Sequence, residues 1–328
     1  MANPKTTLVV TSIAAPNAVL KSLAEGATEN NIGFIVIGDT KSPADFSLNG
    51  CRFYSVAEQQ SLPFKLAKLL PVKHYSRKNI GYLLSKENDV IIETDDDNFP
   101  RKEFWLPRSA AQESTYIDAA GWINVYNYFS SENIWPRGFP VHRLNDQHIP
   151  AGTPATLHAP IQQGLADENP DVDAIYRMTM KLPIRFDEAK PVSLGNKCWS
   201  PFNSQNTTWF KEAFPLMYLP SHCSFRMTDI WRSFVAQRIA WTCNWPVLYH
   251  SATVWQERND HSLLKDFEDE IPGYLNNETI CRKLEDLDLK SGVKNLSENL
   301  FRCYQMLVSE KYIRADEIPL LESWINEF

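Results

Sequence analysis

The first hundred residues alternate between short aliphatic runs and amphipathic segments. The aliphatic runs predict strands at residues 7–12, 33–37 and 52–54. The amphipathic segments predict helices at residues 17–25, 64–70 and 78–84. This β-α-β-α order predicts a mainly parallel sheet with right-handed crossovers, and ligands of such sheets bind beyond the carboxyl ends of the strands.

The sharpest change of pattern lies at residues 90–98. The Val-Ile-Ile run at 90–92 is β-branched and predicts a strand covered on both faces, and it leads into Asp95, Asp96 and Asp97. Alternation along an extended chain would turn Asp95 and Asp97 to the same side. Two hard oxygen ligands would then reach one Mg²⁺ or Mn²⁺ that also holds a diphosphate. An acidic loop or a helix N-cap is the alternative.

The pattern changes again between about Pro100 and Pro220, where prolines and aromatic residues are frequent. This composition predicts ordered loops over a site. Aromatic side chains beside an acidic metal site suit sugar binding, and Trp135, Trp199 and Trp231 are the candidates. Trp231 lies in a predicted helix at 228–241, which favours the core for this side chain.

Beyond residue 266 the chain becomes charged and helical. We therefore expect one ligand-binding domain over residues 1–265 and a helical C-terminal appendage over 266–328.

Charge and composition narrow the function classes. The chain has 328 residues, 43% of them hydrophobic, and a formal net charge of −7, which argues against nucleic acid and anionic membranes as partners. The apolar run at 8–10 is too short for a signal peptide or a transmembrane segment, so we expect a cytoplasmic protein. Six scattered cysteines without a Cys-x-x-Cys pair indicate reduced thiols rather than zinc or disulfide sites.

Four groups of segments together resemble the STELLO family of glycosyltransferase-like proteins, in the same order from about residue 6 to 260. They lie at residues 79–82 (Asn-Ile-Gly-Tyr), 134–140 (Ile-Trp-Pro-Arg-Gly-Phe-Pro), 163–167 with 170–177, and 229–232 with 236–238. The triple aspartate and the Gln-Gly…Pro-Asp-x-Asp-Ala pattern are also similar, more weakly, to the reversibly glycosylated polypeptides, which include UDP-arabinopyranose mutases.

The resemblance implies an α/β fold of the GT-A type: a mixed, mainly parallel sheet flanked by helices, with the C-terminal helical appendage. It implies a transferase in which Asp95 and Asp97 hold Mn²⁺ or Mg²⁺ against the diphosphate of a nucleotide-sugar donor. The expected acceptor is a glycan or a glycolipid, and a lipid acceptor would associate the chain peripherally with a membrane. The resemblance does not imply that this chain shares the Golgi location of STELLO proteins.

Candidate donor-binding residues lie at the predicted strand ends and before the metal strand. Thr11, Ser12 and Asp39 are placed to contact a base and its ribose, although Asp39 is equally suited to capping a turn. Asp96 would contact the ribose, the sugar or the surroundings of the metal; an exposed loop carboxylate is its alternative.

Phosphate and metal contacts have further candidates. Lys78, with Asn79, would steady phosphate, unless it is a surface lysine, and Gly81 would allow close approach of the ligand. Arg137 suits a phosphate or an acidic sugar, or an ion pair that bridges loops. The third metal ligand is predicted as His250, with His222 and His261 as alternatives.

Asp229 is the first candidate for a general base, with a helix N-cap as its alternative. Asp171 and Asp173 would bind acceptor hydroxyls or order a loop. Competing functions are a nucleotide-sugar mutase, a non-catalytic scaffold of the same fold, and a phosphohydrolase. The last is disfavoured because Phe99 stands where such enzymes usually have Thr or Val.

Overall fold

A computed structural model describes residues 4–146, 149–257 and 262–328. The strands are β1 (Thr6–Thr11), β2 (Gly33–Ile37), β3 (Arg52–Tyr54), β4 (Val90–Thr94), β5 (Asn98–Pro100), β6 (Ala111–Ile117), β7 (Gly121–Trp122), β8 (Thr153–His158), β9 (Ile161–Asp167), β10 (Val192–Leu194), β11 (Cys198–Trp199), β12 (Asn206–Phe210) and β13 (Val247–Gln256). The α-helices are α1 (Ala18–Glu29), α2 (Val56–Ser61), α3 (Lys65–Leu69), α4 (Lys78–Leu84), α5 (Ala174–Thr179), α6 (Thr228–Trp241), α7 (Leu263–Glu285), α8 (Leu296–Ser309) and α9 (Glu317–Ile325).

One large mixed sheet runs through the molecule in the order β3-β2-β1-β4-β12-β9-β13-β10-β6-β8, and β5 pairs with β13. The strands β3, β2, β1 and β4 are parallel to one another, whereas β12 is antiparallel to both β4 and β9. Strands β7 and β11 form a separate small sheet. With helices on its faces and a helical C-terminal region, the chain has the predicted α/β class, and the architecture is consistent with a GT-A-like fold.

The order of the first four strands creates a crevice between β1 and β4. From β1 the chain moves to β2 and β3 on one side, and it then returns to β4 on the other side of β1. The connections on the two sides lead away from each other, so the carboxyl ends of β1 and β4 flank an open space. This is the place where open α/β sheets bind ligands.

Alternating side chains of these strands enter two cores. Leu8 and Ile92 pack on the α1 side, whereas Val9 and Ile91 belong to the larger core on the opposite face. Helix α4 lies against β1 on that face, and a Cβ atom at Gly81 would come within 2.4 Å of Val9 Cγ1. The absence of a side chain at Gly81 therefore allows close packing of the helix on the strand. The predicted role, close approach of a ligand, does not follow from this position.

The middle of the chain contributes central strands, and here the prediction of loops was wrong. Both β9 and β12 lie inside the sheet and are almost entirely buried. Their sequences lack an apolar pattern because polar side chains bond within the protein: Gln163 Oε1 accepts hydrogen bonds from Asn203 N at 2.8 Å and Thr207 Oγ1 at 3.0 Å. A buried strand with internal hydrogen bonds does not need aliphatic residues.

The C-terminal helices pack on the rest of the protein. Trp324 of α9 is fully buried and shares the larger core with Tyr218 and Tyr304. Glu317, also fully buried, accepts hydrogen bonds from the backbone of Ser221 and His222. The division at residues 265 and 266 stays a prediction. No helix within the described residues has the length and apolar character needed to cross a membrane.

Candidate active site

A polar cleft of about 250 Å³ opens at the carboxyl ends of β1 and β4. We call it the acidic cleft; its lining residues are Thr11, Tyr75, Asp95, Asp96, Asp97, Arg137, Asp171, Arg177, Ser204, Gln205, Phe225, Arg226, Asp229 and Gln256. The fold thus brings together the triple aspartate, Thr11, Arg137 and Asp229, which the sequence analysis had selected separately.

The three aspartates form a turn rather than the end of a strand. Strand β4 stops at Thr94, and the backbone N–H of Asn98 donates to the carbonyl of Asp95 at 3.4 Å. Alternation along a strand therefore does not orient these side chains. The turn nevertheless presents Asp95, Asp96 and Asp97 to the same cleft, because the chain reverses there to form β5.

Asp96 spans the crevice between the two strands. Its carboxylate accepts a hydrogen bond from the hydroxyl of Ser12, just after β1, and its carbonyl accepts one from Asn17 Nδ2 at 2.9 Å. Asn17 also caps α1 by accepting from Leu20 N at 2.8 Å. The aspartate turn is therefore fastened to β1 and to the beginning of α1, and Asp96 is not a free loop carboxylate.

Lys78 lies behind Asp95, at the beginning of α4. Its side chain is fully buried, and Nζ lies 2.9 Å from Asp95 Oδ1 and 3.3 Å from the carbonyl of Ser204. Withdrawal from water raises the pKa of Asp95 to about 7 in spite of this ammonium group, and the charge of Asp97 adds to the rise. Burial also raises the pKa of Asp96. One lysine therefore does not neutralise the aspartate turn.

Arg137 joins two other carboxylates in the cleft. Its Nε and Nη2 donate to Asp171 at 2.8 and 2.9 Å, and its Nη1 and Nη2 donate to Asp229 at 3.0 and 2.9 Å. All three side chains are buried. The guanidinium is thus engaged on both sides, which corresponds to the predicted alternative of an ion pair between loops rather than to a free phosphate ligand.

Asp229 lies in the first turn of α6 and does not cap that helix with its side chain. Burial alone would raise its pKa, but Arg137 outweighs burial and holds the pKa well below its usual range. Ser204 N also donates to this carboxylate, at 3.2 Å. A carboxylate held ionised by three donors is a weak proton acceptor, so the arrangement favours a positioning role, and the general base stays a prediction.

Other predicted donor ligands have structural partners outside the lining of the cleft. Asp39 accepts from the backbone of Thr40 at 2.6 Å and His74 at 3.1 Å, as expected of a turn cap. Asn79 is buried and exchanges two hydrogen bonds with the backbone of Leu219, at 2.8 and 2.9 Å. Both side chains fix loops near the cleft, and no contact with a nucleotide follows from their positions.

The predicted third metal ligand lies elsewhere. His250 is buried on β13 beside Gly164, and its ring Nδ1 lies 2.9 Å from the carbonyl of Ser251. Burial and the nearby charge of Arg108 lower the pKa of His250 well below its usual range. Among the described residues, no group of three or more His, Cys, Asp or Glu side chains is arranged to hold a metal. His222 is half-buried beside α9, and His261 lies outside the described residues.

The aromatic wall of the cleft is not formed by the predicted tryptophans. Trp135, Trp199 and Trp231 are buried in the core, and Trp135 Nε1 donates to Asp173 Oδ2 at 2.8 Å. The cleft is lined instead by Tyr75 and Phe225, whose ring centroids lie 4.9 Å apart. Neither residue belongs to a Trp-rich segment, so the aromatic pattern of the sequence does not indicate them.

The second acidic pair divides into two roles. Asp171 lines the cleft and binds Arg137, whereas Asp173 is the N-cap of α5 and accepts from Tyr176 N at 2.7 Å. Ser204, Gln205 and Gln256 were also missed. Only their positions relative to the strands could have indicated them. Ser204 and Gln205 lie in the connection before β12. Gln256 is the last residue of β13, and its side chain donates to Asp97 Oδ1 at 3.1 Å.

Comparisons with known proteins agree with the sequence motifs. A model of the family "STELLO glycosyltransferases" matches residues 226–328. The Arabidopsis thaliana protein named "Probable glycosyltransferase STELLO2" is 29% identical over 316 residues, which cover 89% of this chain and 41% of that protein. "Probable glycosyltransferase STELLO1" from the same plant is 29% identical over 257 residues, or 71% of this chain and 33% of that protein.

The chain thus spans about two fifths of the length of STELLO2 and one third of STELLO1. A solved structure of a mycobacterial protein is 11% identical to this chain. Its TM-score is only 0.45, and the match covers 84% of this chain and 74% of that chain. The resemblance predicted from the motifs is confirmed: the chain is similar to the STELLO glycosyltransferases over most of its length.

Proposed function

We propose that this protein is a metal-dependent glycosyltransferase that moves a sugar from a nucleotide-sugar donor to a glycan or glycolipid acceptor. The observation that carries the proposal is the convergence of five carboxylates at the crevice between β1 and β4. Ligands of open α/β sheets bind at such a crevice, and the similarity to STELLO glycosyltransferases supports a nucleotide-sugar as the ligand.

The aspartate turn suits a divalent cation. Asp95 and Asp96 have raised pKa values because they are withdrawn from water and close to further carboxylates. Mg²⁺ is commonly bound by one or two carboxylates together with substrate phosphates, so a site without three protein ligands is compatible with a cation that arrives with the donor. Asp95 and Asp97 would hold Mn²⁺ or Mg²⁺, which would offset the charge that develops on the leaving diphosphate.

The remaining groups of the cleft would maintain its shape around the reactants. Arg137 binds Asp171 and Asp229 and fixes them on opposite sides of its guanidinium. The backbone N–H of Asp229 donates to the hydroxyl of Tyr75 at 3.0 Å, which holds that ring at the cleft beside Phe225. The exposed face of Phe225 offers an apolar surface on which a pyranose ring of the acceptor would pack.

The decisive experiment is a thermal-shift screen of nucleotide sugars with and without Mn²⁺, followed by product analysis of every donor that binds. Binding to the native state raises the melting temperature by mass action. We expect a shift that requires both a nucleotide sugar and the metal. Asp45→Asn, a substitution of an exposed aspartate, is the matched control for substitutions in the turn.

Two other results would overturn the proposal. A ring-isomer product formed from the donor alone would identify a mutase. Absence of any metal-dependent nucleotide-sugar binding would favour a non-catalytic scaffold, since a scaffold has no need for a donor.

A further inference from the structure

A second cavity, of about 500 Å³, lies at the opposite ends of the same strands. Its walls include Lys5 and Thr6 at the beginning of β1, Gly33 at the beginning of β2 and Val90 at the beginning of β4. We call it the basic cavity. Along β4 it is separated from the acidic cleft by Glu93 and Thr94, and no residue lines both. Its volume is in the range of small-molecule sites.

The charge of the lining is opposite to that of the acidic cleft. Lys5 and Arg108 line the basic cavity, and no carboxylate of the described residues does. Asp89 accepts a hydrogen bond from the backbone N of Lys5 at 2.8 Å but is not part of the lining. In a chain with a formal net charge of −7, a cavity with only cationic charge is a specific feature.

Arg108 is one of the two cationic side chains in this lining. It has no ion pair with a carboxylate of the described residues, and burial lowers its pKa to about 10. Arg108 is half-buried, and a guanidinium partly withdrawn from water without a carboxylate partner is stabilised by an anion that binds it. Its planar fork is the geometry that binds a carboxylate or a phosphate through two hydrogen bonds.

Two aromatic side chains form a wall of the same cavity. Trp105 lines the cavity with Phe104, and their ring centroids lie 4.9 Å apart. The indole lies on α1 at Gly26, where a Cβ atom would come within 2.2 Å of Trp105 Cζ2. Glycine inside a helix costs about 1 kcal/mol relative to alanine, and here it makes room for the indole. The position of this wall is therefore built into the fold.

Polar groups complete the lining. Asn30 and Asn31, which follow α1, and Thr208 of β12 also line the cavity, and the hydroxyl of Thr208 has no hydrogen-bond partner among the described residues. An aromatic face, hydroxyl-binding side chains and an unpaired guanidinium are the features that recognise a sugar ring with an acidic substituent.

We propose that the basic cavity binds an anionic saccharide, meaning a sugar ring that carries a carboxylate or a phosphate group. Arg108 binds the anionic group and Trp105 packs on the apolar face of the ring. This site goes beyond the proposed transfer reaction, because it lies apart from the acidic cleft and needs neither metal nor nucleotide.

Isothermal titration of the full chain without metal tests the proposal. The probes are glucuronate, glucose 6-phosphate, glucose and inorganic phosphate. We expect at least one of the two anionic sugars to bind more tightly than glucose and inorganic phosphate. Arg108→Met should weaken that binding at least about tenfold, the loss expected for a charge-assisted hydrogen bond, and Arg108→Lys should retain part of it. The preferred sugar identifies the acidic group.

Matched variants separate this site from the other cleft. Asp95→Asn, in the acidic cleft, and Arg185→Met, at a largely exposed arginine, should leave the affinity unchanged. Trp105→Leu removes the aromatic face and tests the wall if the methionine variant does not fold. Binding of glucose or phosphate as tight as that of the anionic sugars, or no binding of either anionic sugar at millimolar concentration, would overturn the proposal. So would affinity that is unchanged in folded Arg108→Met, or, if that variant does not fold, in Trp105→Leu.

Discussion

The two ends of β1 and β4 differ in how their charges are balanced. At the carboxyl ends, five carboxylates line the acidic cleft, and ion pairs to Arg137 and Lys78 connect three of them with other elements. At the amino ends, Arg108 lines the basic cavity without a carboxylate partner among the described residues. The fold therefore neutralises some of its charged side chains by itself and leaves others to be neutralised by a ligand.

The same distinction divides the acidic cleft. Asp171 and Asp229 are balanced by one buried arginine, whereas Asp95 and Asp96 retain raised pKa values beside a single lysine. We infer that Arg137 and its partners chiefly maintain the fold, and that the aspartate turn is the part of the cleft available to a cation. Substitutions in the two groups should therefore change different quantities.

The largest effect on stability is expected from Arg137→Met. This substitution leaves two buried carboxylates without their counter-charge, and breaking such a pair costs about 3–5 kcal/mol. The free energy of unfolding, measured by urea denaturation, should fall by that amount. If Asp171→Asn and Asp229→Asn are added to Arg137→Met, much of the loss should return. No recovery in the triple variant would show that packing, not charge, accounts for the loss.

The next largest effect should fall on activity rather than stability. Asp95→Asn or Asp97→Asn removes a proposed metal ligand, and the rate of Mn²⁺-dependent transfer should fall on the order of 100-fold or more, the scale of a lost electrostatic contact in a transition state. The melting temperature without metal should change little in Asp97→Asn. Asp95→Asn should also lower it, because the buried ammonium of Lys78 then lacks its carboxylate partner. Equal activity of Asp97→Asn and the Asp45→Asn control would exclude the metal role of Asp97.

The sequence predicted what depends on local pattern. Strands 33–37 and 52–54 and helices 78–84 and 228–241 have the bounds that their hydrophobic spacing indicated. The aspartate turn was found because it follows an uninterrupted β-branched run. Each of these features depends on the residues of a single segment, so the sequence of that segment is sufficient to predict it.

The rest depended on distant contacts. The ion pairs of Arg137 join residues 34 and 92 positions apart, and Lys78 reaches Asp95 from another element. The sequence left Arg137 and Lys78 with two interpretations each, and only the fold brings their partners close. The burial of Trp135 and Trp199, and the location of His250 away from the aspartates, likewise follow from the order of strands, which no single segment specifies.

A smaller effect on stability is expected where helix α1 contacts the aromatic wall of the basic cavity. Alanine is ordinarily more favourable than glycine inside a helix by about 1 kcal/mol. Gly26→Ala should instead destabilise the protein, by about 1–3 kcal/mol, because the new methyl group overlaps the Trp105 indole. In a Trp105→Ala background the same substitution should become stabilising. Thermal unfolding of the four proteins gives this cycle, and stabilisation by Gly26→Ala in the wild-type background would contradict the tight contact.

The smallest effect is the pH dependence of stability without metal. Burial raises the pKa of Asp95 from its ordinary value of about 4 to about 7, so the native state binds this proton more tightly than the unfolded chain does. The contribution of Asp95 to stability therefore falls as the pH rises from about 4 to about 7. Its partial exposure to water keeps this effect modest. Between about pH 5 and 8, the wild type should lose more stability than Asp95→Asn, and Mn²⁺ at the upper pH should stabilise the wild type more. Parallel pH profiles of the two proteins would show that the aspartate turn is already neutralised without a cation.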